Sequence, residues 1–108
     1  MASVSHLPST LEAIARKIAN ASDAEGVVLF GSRARGDARV ESDVDLALVF
    51  RNADGMREGI RRAHRALWPR EFPVDLVPIT FAALRQGNTA LAREISMTGV
   101  VLYGRVAA

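Results

Sequence analysis

Three short apolar runs, Val27 to Phe30, Val44 to Phe50 and Val74 to Ile79, constrain this chain more than any other feature. Each has the length of a strand and is far too short to cross a bilayer. The first, bounded by Gly26 and Gly31, has no polar position at all, as expected of a strand covered on both faces. Such a sheet needs helices on either side. Leu7, Leu11, Ile14 and Ile18 recur at alternating spacings of four and three, with Ser9-Thr10-Leu11-Glu12 matching a capping box, and predict a helix ending near Asn20 to Ser22. Asp54 to Trp68 carries Met56, Ile60, Ala63 and Leu67 on one stripe, with Arg57, Arg61, Arg62 and Arg65 mostly off it. Thr80 to Arg85 reads as a short helix capped by Thr80, Asn88 to Met97 as another ending at Gly99, and Val100 to Tyr103 as a small edge strand. The expected class is α/β (α+β), a small mixed sheet flanked by helices.

With 108 residues, 49% of them hydrophobic, one core is supported and a second folded domain has no room. The expectation is a single domain over residues 1–108. The absence of cysteine rules out disulfides, thiolate zinc sites and cysteine nucleophiles, and fits a reducing compartment. No segment resembles a signal peptide or a membrane span, so a soluble cytoplasmic protein is expected. The isoelectric point of about 9.9 invites a nucleic-acid reading. Thirteen of the fourteen basic residues are arginine, however, and the formal charge at pH 7 is only +2. With little to titrate between neutrality and pH 10, the isoelectric point rises without a large charge. Direct nucleic-acid binding is not expected.

The chemistry-bearing stretch runs from Gly31 to Leu46. Gly31 and Ser32 close the first strand and open a helical turn, where backbone N–H groups can face a phosphate and glycine permits close approach. Arg33 and Arg35 add positive charge. Val44, Leu46, Leu48 and Phe50 line one face of the second strand, and the other face begins with Asp43 and Asp45. Their i, i+2 spacing sets both carboxylates on the same side, roughly 7 Å apart at Cα. Magnesium prefers carboxylate oxygens together with substrate phosphates, and two ions about 4 Å apart can stabilise both oxygens of an in-line displacement. Asp75, one acid in an otherwise apolar run, is the candidate third carboxylate. A cleft, a metal or a partner arginine would each explain it, because burying an unpaired carboxylate is costly.

Gly31-Ser32, ten residues, then Asp43-Val44-Asp45 resembles the signature of the DNA polymerase β-like nucleotidyltransferase superfamily. Gly31 to Val49 as a whole resembles its minimal nucleotidyltransferase branch, and the likeness continues through Asp75 to Gly99-Val100-Val101-Leu102-Tyr103. The resemblance implies that Gly31 and Ser32 hold a triphosphate, with Arg33, Arg35 and Ser42 at less discriminating nucleotide-binding positions. It implies that Asp43 and Asp45 bind two magnesium ions, and that Asp75 ligates the catalytic ion and can accept the acceptor's proton. The implied reaction moves a nucleoside monophosphate, AMP from ATP, to a hydroxyl. Minimal members of the branch are often antitoxins paired with a HEPN-domain ribonuclease toxin, and some add AMP to a toxin tyrosine. The alternative is a nucleotide-binding antitoxin that masks its partner sterically without turnover. Self-association is compatible with either.

Elsewhere ordinary readings suffice. His6 and His64 lack a second histidine at ligand spacing and are read as surface residues. Trp68 and Phe72 are expected to pack in the core. The Arg57 to Arg65 cluster is expected to be a solvated helix face, open to an acidic partner.

Overall fold

The computed structural model describes residues 9–36, 43–68 and 73–107. Ser42, His6, Leu7 and Phe72, named in the expectations above, lie outside them. The elements follow in the order α1 (Ser9–Ser22), β1 (Gly26–Phe30), α2 (Ser32–Arg35), β2 (Val44–Phe50), α3 (Met56–Ala66), β3 (Val74–Thr80), α4 (Phe81–Gln86), α5 (Ala90–Thr98) and β4 (Val100–Gly104).

The four strands form one mixed sheet in the order β3-β2-β1-β4. β1 pairs antiparallel with both β2 and β4, while β2 and β3 run parallel. A parallel pair cannot be joined by a tight turn, and here α3 makes the crossover. All five residues of β1 are buried, which is why its run contains no polar residue. The alternation in β2 divides its side chains between two layers. Val44, Leu46, Leu48 and Phe50 pack with Leu11, Ala15 and Ile18 of α1 and Ala63 of α3. Ala47 and Val49 pack on the opposite side with Phe81 and Leu84 of α4 and Ala92 and Ile95 of α5. Asp45 belongs to that second face by the same alternation, at the end of β2 where the apolar residues give out.

Local chemistry fixes where the helices begin and end. The Thr80 and Thr89 hydroxyls accept from the backbone N–H groups of Ala83 and Ala92, each at 3.1 Å, capping α4 and α5. Ser22, the one buried polar residue among the described residues, donates from Oγ to Ile18 O at 2.6 Å and accepts from Ala24 N–H at 3.3 Å. That pair of bonds closes α1 and turns the chain toward β1. No helix among the described residues is long and apolar enough to cross a membrane.

One expectation fails. Trp68 does not pack in the core; it is 74% exposed, just beyond the end of α3. The stripe that buries Ala63 and Leu67 is already complete without it, because a residue one position past Leu67 is rotated by about 100° toward solvent.

α1 and α3 touch closely at Gly59, where an added Cβ would lie 2.7 Å from Ser22 O and 3.0 Å from the Phe50 ring. Gly59→Ala gains helix propensity of about 1 kcal/mol but forces a backbone oxygen to move, at a cost of about 1–3 kcal/mol. A net loss of stability is expected, read as a lower denaturant midpoint at unchanged slope.

Candidate active site

β1 ends at Phe30, which stands directly opposite Asp45 in the antiparallel register. Gly31 then takes the chain out of the sheet with φ 78° and ψ −158°, a conformation open almost solely to glycine. A Cβ at this position would lie 2.3 Å from Asp45 Oδ2. Glycine is therefore demanded twice, once by the backbone and once by the carboxylate pressed against it. Ser32 to Arg35 form the single turn of α2, held by the Arg35 N–H donating to Gly31 O at 3.1 Å and ended by Gly36 at φ 83°. Ser32 and Arg33 are half-buried and Arg35 is exposed, so the turn expected from the sequence is present beside the acids.

The parallel pairing sets Asp45 directly opposite Asp75. Residues opposite one another on neighbouring strands share a face, so both carboxylates stand on the side away from α1 and α3. Asp43 immediately precedes β2, two residues before Asp45, and is exposed. Asp75 is not buried as its apolar neighbours suggested. β3 is an edge strand, and Asp75 is an exposed position between buried Val74 and Leu76. No arginine pairs with it among the described residues.

A fourth acid joins this group that the sequence did not single out. Glu94 of α5 accepts a hydrogen bond from Arg35 Nη1, linking α5 to α2. In sequence it is an ordinary polar residue of an amphipathic helix, and nothing in its neighbours marks it. Only the docking of α5 on the sheet brings it near Asp45.

The electrostatics report the same convergence. The Asp45 carboxyl is raised above the ordinary carboxylate range, first by burial, then by repulsion from Asp75, Asp43 and Glu94, with Arg35 opposing. Among the described residues no three His, Asp or Glu side chains already stand close enough to hold one ion between them. What the fold provides is alignment: carboxylates from two strands on one face, repelling one another where a divalent cation would relieve the repulsion. That donor set, oxygen only and open to solvent, suits a hard ion such as magnesium that retains waters and substrate oxygens.

The family model for "Polymerase beta, Nucleotidyltransferase" matches residues 12–107, and the chain belongs to this family. Similar solved structures share its fold. A toxin–antitoxin crystal structure with AMP-PNP superposes with a TM-score of 0.61 at 24% identity, covering 87% of this chain and 73% of that one. A mutant of the MntA-HpeT toxin–antitoxin superposes at 0.55 with 23% identity, covering 83% and 70%. A protein suggested to be a nucleotidyltransferase, from Sulfolobus solfataricus, superposes at 0.53 with 22% identity, covering 95% and 94%. No curated protein matches the chain.

A raised carboxyl pKa means that the folded state favours the protonated form. The stability it contributes is present below the ordinary value of 3.8 and is lost as pH rises through the raised one. Asp45→Asn, which cannot ionise, should therefore be more stable than the wild type near pH 7 in chelator, and the difference should shrink as pH falls below the ordinary value. Denaturation midpoints over that range check the sign. Gly31→Ala should destabilise the domain at every pH, because its strain does not depend on ionisation.

Proposed function

We propose that the chain is a single minimal nucleotidyltransferase domain that moves the nucleoside monophosphate of a triphosphate, AMP from ATP, to an acceptor hydroxyl. The observation that carries this reading is the register that sets Asp45 opposite Asp75, with the Gly31 turn against Asp45. In this proposal Asp43 and Asp45 would hold two magnesium ions, and Asp75 would ligate the catalytic one. Gly31 and Ser32 present backbone N–H groups to the triphosphate, and Arg33, Arg35 and Ser42 add positive charge and polar contacts. Bound magnesium would neutralise charge on the phosphate oxygens and on the departing pyrophosphate.

The acceptor oxygen forms its bond to the α-phosphorus, the bond from that phosphorus to the β-bridging oxygen breaks, and pyrophosphate leaves. In this reading Asp75, exposed at the edge of the sheet, takes the proton released by the acceptor hydroxyl. Asp45, wedged between Gly31 and the Asp75 strand, fixes the relative position of nucleotide and acceptor. Arg35 is held by Glu94 beside the acids, where it offsets part of their mutual repulsion before any ligand arrives.

A sheet of four strands with five short helices leaves no separate lobe among the described residues to grip a large acceptor. In this proposal the acceptor is carried by a partner protein. The toxin–antitoxin proteins of like fold, one with AMP-PNP and one altered at two aspartates two positions apart, support a role as an antitoxin. The substrate we assign is a tyrosine hydroxyl of a HEPN-domain toxin, in the cytoplasm.

Incubation of the purified chain with magnesium, ATP and the product of the adjacent gene, followed by intact mass measurement, should show an AMP adduct on the partner. Asp45→Asn should reduce the adduct to background. A tight complex that inhibits the partner with no adduct would replace the catalytic reading with steric masking. Magnesium should also raise the melting temperature of the wild type but not of Asp45→Asn, a readout independent of turnover.

A further inference from the structure

The outward face of α3 is unusually uniform. Arg57, Arg61 and Arg65 follow one another at i, i+4 and i+8, His64 falls on the same side of the helix, and Trp68 lies just beyond its end. All five are exposed, and Trp68 is 74% exposed. Glu58 is the one acid on this side, and it pairs at 3.5 Å with Arg61. No ion pair reaches Arg57 or Arg65 among the described residues. Arg62, by contrast, is committed inward, donating from Nε to Ala21 O at 2.7 Å and reaching Asp23 at 3.4 Å. The arginine cluster is thus divided: one residue ties α3 to the end of α1, and three form a ridge with a large aromatic at its end.

We propose that this ridge is a docking surface for an acidic helix of a protein partner. Side chains four apart on a helix form the ridges that pack into the grooves of a second helix, and three guanidiniums spaced about 6 Å apart along α3 match carboxylates at the same i, i+4 spacing. Tryptophan and arginine are the residue types most enriched among those that dominate protein interfaces, and an exposed tryptophan beside arginines supplies an apolar anchor within a charged rim.

A nucleic-acid strand fits less well. The ridge is convex and only about 12 Å long from Arg57 to Arg65. The formal charge of +2 gives no broad positive field to hold it. The ridge lies on the layer formed by α1 and α3, and the carboxylates face the other side of the sheet, so docking leaves the cleft open.

Trp68 is the only tryptophan, and its emission reports on the ridge directly. The probe is an alanine-based helical peptide with glutamates at three successive i, i+4 positions and a leucine one turn beyond, titrated at low salt without nucleotide or magnesium. Emission should shift to shorter wavelength and saturate, and the affinity should fall as salt rises. Arg57→Glu with Arg65→Glu should weaken binding by about tenfold or more and should favour the matching lysine peptide instead. Arg57→Gln with Arg65→Gln, which avoids new acidic charge on the helix, should also weaken it while leaving the melting temperature unchanged. No saturable shift with the acidic peptide would overturn the proposal. So would a tighter response to a single-stranded oligouridylate or to phosphatidylserine vesicles. Because no turnover is measured, failure here is separable from failure of the catalytic reading.

Discussion

The parallel register between β2 and β3 is the constraint on which the rest of this molecule depends. It sets Asp45 opposite Asp75, and because side chains alternate between faces along a strand, a shift of one residue would turn one carboxylate into the α1 and α3 layer. The apolar residues of both strands prevent that slip. Val44, Leu46 and Leu48 on β2 and Val74 and Leu76 on β3 are buried on the face opposite the acids, so the same packing that stabilises the sheet holds the carboxylates together. Stability and the geometry of the cleft are enforced by one set of contacts.

The cleft itself is a place where the fold accepts an unfavourable arrangement. Asp45 is partly desolvated, has two aspartates and a glutamate as neighbours, and presses on a glycine in a conformation other residues avoid. Sites that bind cations and phosphates commonly carry such unrelieved repulsion, since the ligand that relieves it gains affinity from it. The Arg35–Glu94 contact moderates the repulsion from the side of α2 and α5, which gives those two short elements a role beyond covering the sheet.

The charge distribution is polarised through the thickness of the molecule. Acids converge on the face of the sheet that α4 and α5 partly cover, and the arginine ridge with Trp68 stands on the outer side of α3. In the proposed reading the two surfaces would serve different ends: one for chemistry, the other for docking a partner. The near balance of the overall charge conceals this division.

From the sequence alone, the strands, the helix order, the cap at Thr80 and the turn at Gly31 beside the acids that open β2 were legible, because each rests on local properties: apolar period, turn-forming residues and the spacing of acids along one strand. β2 was located to its ends, since both of its faces carry a regular pattern. The tertiary structure decided what depends on residues distant in sequence. It exposed Asp75 by placing β3 at the sheet edge, brought Glu94 to the acids through the docking of α5, and turned Trp68 outward once the core stripe of α3 was filled. Periodicity tells which side of an element is apolar; only the packed arrangement determines what that side, and its opposite, will meet.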